Sequence, residues 1–106
     1  MQERFEDGVL ILAPTGDLEE PDCARTEASA SERKARAVLL DLSASDYLSS
    51  QGIGILLALQ ARLAPLPCSL LLAAPTPLLR RLLHQAGLAS ILPLHASVEA
   101  ALASAR

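Results

Sequence analysis

Residues 38–57 read VLLDLSASDYLSSQGIGILL, and this stretch decides the fold. Its apolar run, Val38 to Leu42, interrupted only by Asp41, is typical of a strand that is covered on both faces of a sheet. A polar segment follows, and Ile53 to Leu63 then reads as a long apolar helix. Either Ser49 or Ser50 could accept a hydrogen bond from the free amides of the first helical turn, so the helix has two candidate N-caps. The stretch therefore predicts a central strand that leads into a crossover helix.

Predicted strands and helices alternate on both sides of this stretch. Three further apolar runs are predicted as strands: Val9 to Ala13, Cys68 to Ala73 and Ile91 to Leu94. Asp7-Gly8 predicts a tight hairpin turn that joins the first of these runs to a strand containing Phe5. The other predicted helices are Glu19 to Arg36, with Cys23, Ala24, Ala28 and Ala35 against the sheet, then Leu78 to Ala86, and a last helix capped by Ser97. We therefore expect one α/β domain over residues 1–106, with an about four-stranded, mostly parallel sheet, an N-terminal edge hairpin and about four helices.

The composition argues against several classes of partner and site. One Phe, one Tyr, no Trp and a net charge of -3 do not favour binding to nucleic acid. No apolar window approaches the roughly 18 residues of a membrane span, and residues 1–7 lack a secretory pattern, so we expect a cytoplasmic protein without membrane insertion. Cys23 and Cys68 have no partner ligands at metal-site spacing. We expect two buried thiols, no metal and no cofactor.

The sequence offers no arrangement typical of a catalytic centre. His84 and His95 have no carboxylate or cysteine at ligand spacing. Ser49 and Ser50 lie between a strand and a helix, but the GxSxG pattern of a nucleophile elbow is absent. Gly52-Ile-Gly54 lacks the third glycine of a dinucleotide-binding loop. We therefore expect a protein that is not an enzyme.

Two acidic residues follow predicted strands at the edge where open α/β sheets place their binding sites. Asp17 and Asp41 come after apolar runs, and the Ser49 to Gly52 turn is expected at the same edge. The helix start there presents free N–H groups and a positive dipole end. Two interpretations remain open. Asp17, Asp41 and Ser50 either bind a nucleotide or lipid, or the aspartates are turn residues that hydrogen-bond their own backbone.

Several segments together resemble the STAS domain family, which occurs in anti-sigma-factor antagonists and at the cytoplasmic ends of sulfate transporters. Residues 38–43 and 46–57 resemble the core signature of the family. Gly16-Asp17-Leu18 resembles its glycine-acid-leucine after the early strand, and residues 82–92 resemble its helix-Gly-Leu stretch before the last strand. The resemblance covers nearly the whole chain.

The resemblance implies a partner-switching module similar to anti-sigma-factor antagonists. Such a module binds an anti-sigma factor, or a related serine kinase, and is released when a loop serine is phosphorylated. The usual loop of the family reads Asp-Ser-Ser-Gly, with the acceptor directly before the glycine. Aligned on Gly52, this chain has Gln51 at the acceptor position, which leaves Ser50 and Ser49 as phosphorylation candidates. The implied partner-binding residues are Asp17, Asp46, Ser49, Ser50, Gln51, Gly52 and Ile53.

The resemblance also leaves two alternatives open. The chain could be a small STAS subunit of a lipid-transport ATPase system, or a regulatory STAS domain that binds a small ligand. With Gln51 at the acceptor position, partner binding could be constitutive. A homodimer is compatible with every one of these readings.

Overall fold

The computed structural model describes residues 1–105, and Arg106, the last residue of the predicted domain, lies outside the described residues. The strands are β1 (Gln2–Glu6), β2 (Val9–Ala13), β3 (Ala37–Asp41), β4 (Ser69–Ala73) and β5 (Leu94–His95). The α-helices are α1 (Glu20–Arg33), α2 (Ser50–Leu63), α3 (Pro77–Gln85) and α4 (Val98–Ala105), and a short 3₁₀ helix spans Leu88–Ser90.

The strands form one five-stranded sheet in which spatial order follows chain order. β1 is antiparallel to β2, whereas β2, β3, β4 and β5 are parallel to one another. The hairpin turn has Asp7 at φ 52° and Gly8 at φ 79°, the left-handed conformations that a two-residue turn of this twist requires. The predicted α/β domain, with a mostly parallel sheet and an edge hairpin, is confirmed.

Both faces of β2, β3 and β4 are buried, whereas β1 is exposed, and this burial explains the apolar runs. Leu10, Leu40 and Leu72 face the side covered by α1, α2 and α3, where α2 contributes Leu56, Leu59 and Leu63. Alternate residues of the same strands face α4, and this second cluster contains Val9, Ile11, Ala37, Leu39, Leu71, Ala73, Ala101 and Leu102. Because neighbouring side chains of a strand point to opposite faces, a strand covered on both sides needs an apolar residue at nearly every position.

The last strand differs from the predicted Ile91 to Leu94. Leu72 N–H donates to Pro93 O at 3.0 Å, but a proline has no N–H with which to continue the ladder towards Leu70. The N–H of Leu92 donates instead to Leu88 O at 2.8 Å. Pairing of β5 therefore begins only at Leu94, and residues 91–93 form the connection from the 3₁₀ helix.

The first helix is shorter than predicted and uses a different buried face. It ends before Lys34, which adopts a left-handed conformation at φ 52°. Ala24 and Ala28, predicted to contact the sheet, are exposed. The buried positions are Cys23, Thr26 and Ala30, which recur at helical spacing. Ala35 is buried as expected, but it lies beyond the helix.

Two further findings concern membrane-spanning helices and the two cysteines. Among residues 1–105, no helix is both long enough and apolar enough to cross a membrane. Cys23 and Cys68 are buried and unpaired, as predicted, and burial raises the pKa of both thiols. Each therefore remains a neutral thiol at ordinary pH.

Candidate functional site

The start of α2 is capped by Ser49, which settles the choice between the two serines. Ser49 has an extended backbone, and its Oγ accepts a hydrogen bond from Gly52 N at 3.1 Å. Its carbonyl oxygen accepts from Ile53 N at 2.9 Å. Ser50 is consequently the first helical residue, and its side chain is exposed. The helix begins three residues earlier than the apolar run at Ile53 indicated.

Asp17, in the loop between β2 and α1, holds this cap in place. Its Oδ1 accepts from Ser49 N at 3.1 Å and from Leu18 N at 3.0 Å. Its Oδ2 accepts from the hydroxyl of Ser49. The hydrogen bond from the Ser49 side chain lowers the pKa of the Asp17 carboxyl, burial opposes this effect, and the two backbone amides add to it. The Ser49 hydroxyl is thus both a donor to Asp17 and an acceptor from the helix.

Gly52 is required because of packing against Asp17. A Cβ atom at Gly52 would lie 2.1 Å from Asp17 Oδ1 and 3.2 Å from Leu48 Cδ2. Gly54 differs, since a Cβ there would meet nothing within 4 Å. Gly52 therefore lets the Asp17 carboxylate approach the helix, and at Gly54 no side chain projects from the outer surface of α2.

Ser45 is a site residue that sequence reasoning missed. It is completely buried, and its Oγ donates to Gly16 O at 3.0 Å. Its own N–H donates to Leu42 O at 3.1 Å. Ser45 thereby joins the loop after β3 to the loop after β2. A short polar residue in a polar loop gives no sequence signal of burial. We refer to Asp17, Ser45, Ser49 and Gly52 together as the latch.

Asp41 and Asp46 do not join the latch. Asp41 Oδ1 accepts from Ser43 N at 3.1 Å, the local turn bond that was one of the two readings for this residue. Asp41 is two residues after Leu39 and therefore shares its α4 side of the sheet, where it lines a shallow concavity with Arg4 and Ile11. Asp17 contacts the start of α2, which covers the opposite face. Asp46 is exposed in the loop before α2. The structure brings Asp17 to Ser49, but not Asp41.

Beyond the latch, α2 presents an exposed surface without carboxylates. Leu57 on the helix is 42% exposed, Gln51 is exposed as well, and Tyr47 in the loop before α2 is 56% exposed. Ser50, Gly54 and Leu57 recur at helical spacing on the outside of α2. Ile53, predicted to be part of this surface, is half-buried and packs on the core. We call Tyr47, Ser50, Gln51, Gly54 and Leu57 the α2 face.

The comparisons with known proteins agree with this architecture. The family model described as MlaB, STAS domain matches residues 1–105. The chain is 32% identical over 101 residues to BtrV of Bordetella bronchiseptica, a candidate anti-sigma factor antagonist, covering 92% of this chain and 87% of BtrV.

Two solved structures extend the comparison. The crystal structure of an anti-sigma factor antagonist from Mycobacterium paratuberculosis has 27% identity and a TM-score of 0.82, covering 99% of this chain and 92% of that one. The Bacillus cell fate determinant SpoIIAA in its phosphorylated form shares the fold, with 19% identity, a TM-score of 0.69, and coverage of 99% and 98%. The chain therefore belongs to the STAS domain family and is similar to anti-sigma factor antagonists.

Proposed function

We propose that this chain is a cytoplasmic, non-catalytic regulatory module that binds a serine-kinase anti-sigma factor through the α2 face. The observation that carries the proposal is the latch beneath that face. Two hydrogen bonds join Asp17 to Ser49, and a third joins Ser49 to Gly52 in the first turn of α2, so the exposed residues are held in one geometry before a partner arrives. A preorganised surface loses little conformational entropy on binding.

The chemistry of the α2 face suits close contact with a protein. Gly54 leaves the helix surface low, so a partner backbone can approach it. Leu57 and Tyr47 supply the exposed apolar and aromatic groups that anchor protein interfaces. The first turn of α2 contains no acidic residue, and the Asp17 carboxylate lies against the helix start, where it opposes the positive end of the helix dipole. None of the five residues of the α2 face is acidic or basic, so an added charge would change this surface strongly.

We propose Ser50 as the residue whose phosphorylation would switch binding off. Its hydroxyl is exposed and makes no hydrogen bond within residues 1–105. The hydroxyl of Ser49, in contrast, is engaged by Asp17 and by Gly52 N, and a phosphate there would meet the Asp17 carboxylate and remove the cap. A phosphate on Ser50 would add about -1.5 to -2 charges at the centre of the α2 face while remaining compatible with the helix start.

Calorimetric titration with a serine-kinase anti-sigma factor from the same genome tests the proposal. The unmodified chain should bind, Ser50→Ala should bind equally well, and Ser50→Glu should weaken binding roughly tenfold or more. Ser104→Glu adds the same charge at an exposed serine on α4 and should have no effect. Absence of binding by the unmodified chain, or equal loss in both Glu variants, would remove the proposal.

Gln51 supplies a second test of the same idea. Because Gln51 occupies the usual acceptor position, Gln51→Ser should give the kinase a substrate that it phosphorylates faster than the unmodified chain. Mass spectrometry after incubation with kinase and ATP would locate the phosphate. Phosphate at position 51 of the variant, together with slow modification at Ser50 in the unmodified chain, supports a binding mode shared with the family.

The same residue favours a second candidate function, a small subunit of a lipid-transport ATPase system. Replacement of the acceptor serine by Gln51 suits a constitutive complex, in which the α2 face docks permanently on another subunit. Co-purification with a membrane ATPase, unchanged by Ser50→Ala and lost on Leu57→Ser, would favour this function over partner switching.

A further inference from the structure

The two parts of the chain differ strongly in charge. No Asp or Glu occurs between Asp46 and Glu99, a segment that contains α2, β4, α3 and β5. Apart from Glu99, every Asp and Glu of the sequence lies in residues 1–46. The segment without carboxylates carries Arg62, Arg80 and Arg81. One part of the surface is consequently acidic, and the part around α3 is basic.

Arg80 and Arg81 are exposed and have no ion-pair or hydrogen-bond partner for their side chains within the described chain. Arg62, by comparison, pairs with Glu27 at 3.3 Å. The two arginines also do not stabilise their own helix. They are the fourth and fifth residues of the nine-residue helix, so neither lies at the negative C-terminal end, where a helix favours cations. Folding therefore gives no reason for this pair of charges.

An exposed apolar residue neighbours Arg81 on α3. Leu78 is 50% exposed and precedes Arg81 by one helical turn, while Leu79 and Leu83 on the other side of α3 are buried. An apolar group with a charged rim is the usual composition of a protein-binding surface. The starts of α2 and α3 follow the neighbouring parallel strands β3 and β4, so both helices begin at the same edge of the sheet.

We propose that Leu78, Arg80, Arg81 and His84, the α3 face, bind an acidic segment of a partner protein, with an apolar residue of that segment against Leu78. Both helices begin at the same sheet edge, so one partner can contact the α3 face and the α2 face together, and in this respect the inference rests on the proposed function. Charge complementarity selects a partner segment rich in Asp or Glu. An anionic bilayer fits less well, because two arginines contribute only about 1 kcal/mol each near such a surface.

The test uses the full chain and matched variants against the kinase that binds the unmodified protein. Arg81→Glu should weaken binding roughly tenfold and reduce its dependence on salt, and Leu78→Ser should weaken it severalfold. Arg25→Glu on α1 and Ile91→Ser, whose side chain is 53% exposed, are the matched controls and should bind normally. Normal binding by both α3 variants would overturn the inference and leave the proposed function standing.

A partner-independent experiment separates the two claims if no kinase binds. The labelled chain is titrated with a poly-L-glutamate peptide and followed by NMR. Salt-sensitive shifts concentrated at Leu78 to His84, lost in Arg81→Glu, support the α3 face even though the proposed function would have failed. Shifts spread evenly over the chain, no shifts at all, or Arg81-dependent binding to phosphatidylserine vesicles in place of the peptide would overturn it.

Discussion

Replacing Gly52 by alanine should destabilise the chain, although the same substitution in a helix normally stabilises it. In an exposed helical position, Gly→Ala gains about 1 kcal/mol because alanine restricts the unfolded backbone and favours the helix. At Gly52 the new Cβ would lie 2.1 Å from Asp17 Oδ1 and 3.1 Å from Asp17 Cγ. A carbon and an oxygen atom cannot approach so closely, so the carboxylate must move away.

The cost follows from what the carboxylate contacts. Moving Asp17 stretches or breaks its hydrogen bonds with Ser49 N and Ser49 Oγ. Leu48 Cδ2, 3.2 Å from the new Cβ, limits movement of the helix in the other direction. Overpacking of this kind typically costs about 1 to 3 kcal/mol, against a helix-propensity gain of about 1 kcal/mol. We therefore expect Gly52→Ala to lower the free energy of unfolding by up to about 2 kcal/mol.

Urea unfolding of matched variants measures this effect. Gly54→Ala is the control, since its Cβ would meet nothing within 4 Å, and it should raise stability by up to about 1 kcal/mol. The double variant Asp17→Ala with Gly52→Ala removes the clashing carboxylate and should be less destabilised than the sum of the two single changes. Equal stability changes for Gly52→Ala and Gly54→Ala would refute the latch.

Three further predictions concern the latch and the α2 face. In the folded chain the pKa of the Asp17 carboxyl is lowered from 3.8, so the carboxylate stabilises the fold above that pH and the stabilisation is lost as the pH falls through the lowered pKa. Asp17→Asn should therefore flatten the acid side of a curve of stability against pH, and an unchanged curve would count against a stabilising role of the carboxylate. Ser45→Ala leaves the carbonyl of Gly16 without its donor and should cost about 1 to 2 kcal/mol in thermal unfolding, whereas a change within error would mean that the bond contributes nothing. Leu57→Ser should weaken kinase binding severalfold at nearly unchanged thermal stability, and intact binding would move the interface elsewhere.

Much of the fold could be predicted because burial on both faces leaves a simple pattern. Val9 to Ala13 is apolar throughout and Val38 to Leu42 is apolar except for Asp41, a pattern that a doubly covered strand needs. Asp7-Gly8 predicted the hairpin turn because few other pairs of residues adopt two consecutive positive φ angles. The limits of β5 were harder to predict from the sequence, since they depend on the missing N–H of Pro93 and on a competing hydrogen bond from Leu92 N to Leu88 O.

The sequence predicted that Asp17 and Ser49 lie at one edge of the sheet, but not the hydrogen bonds that connect them. Asp17 and Ser49 were expected at one sheet edge, yet nothing in the sequence indicates that one accepts from the other across a separation of 32 residues. Asp41 looked equivalent to Asp17 because both follow strands, but the alternation of side chains turns Asp41 to the α4 face. Ser45 gave no signal, because a buried serine in a loop is recognised only from the carbonyl that it contacts.

The docking surface itself can be mapped in one measurement. NMR cross-saturation on the labelled chain, mixed with the serine-kinase anti-sigma factor proposed as its partner, reports which amides lie against that protein. A footprint centred on Ser50, Gly54 and Leu57 is the predicted result. A footprint on α4, or on the exposed edge of β1, with no signal from the start of α2, would contradict the account.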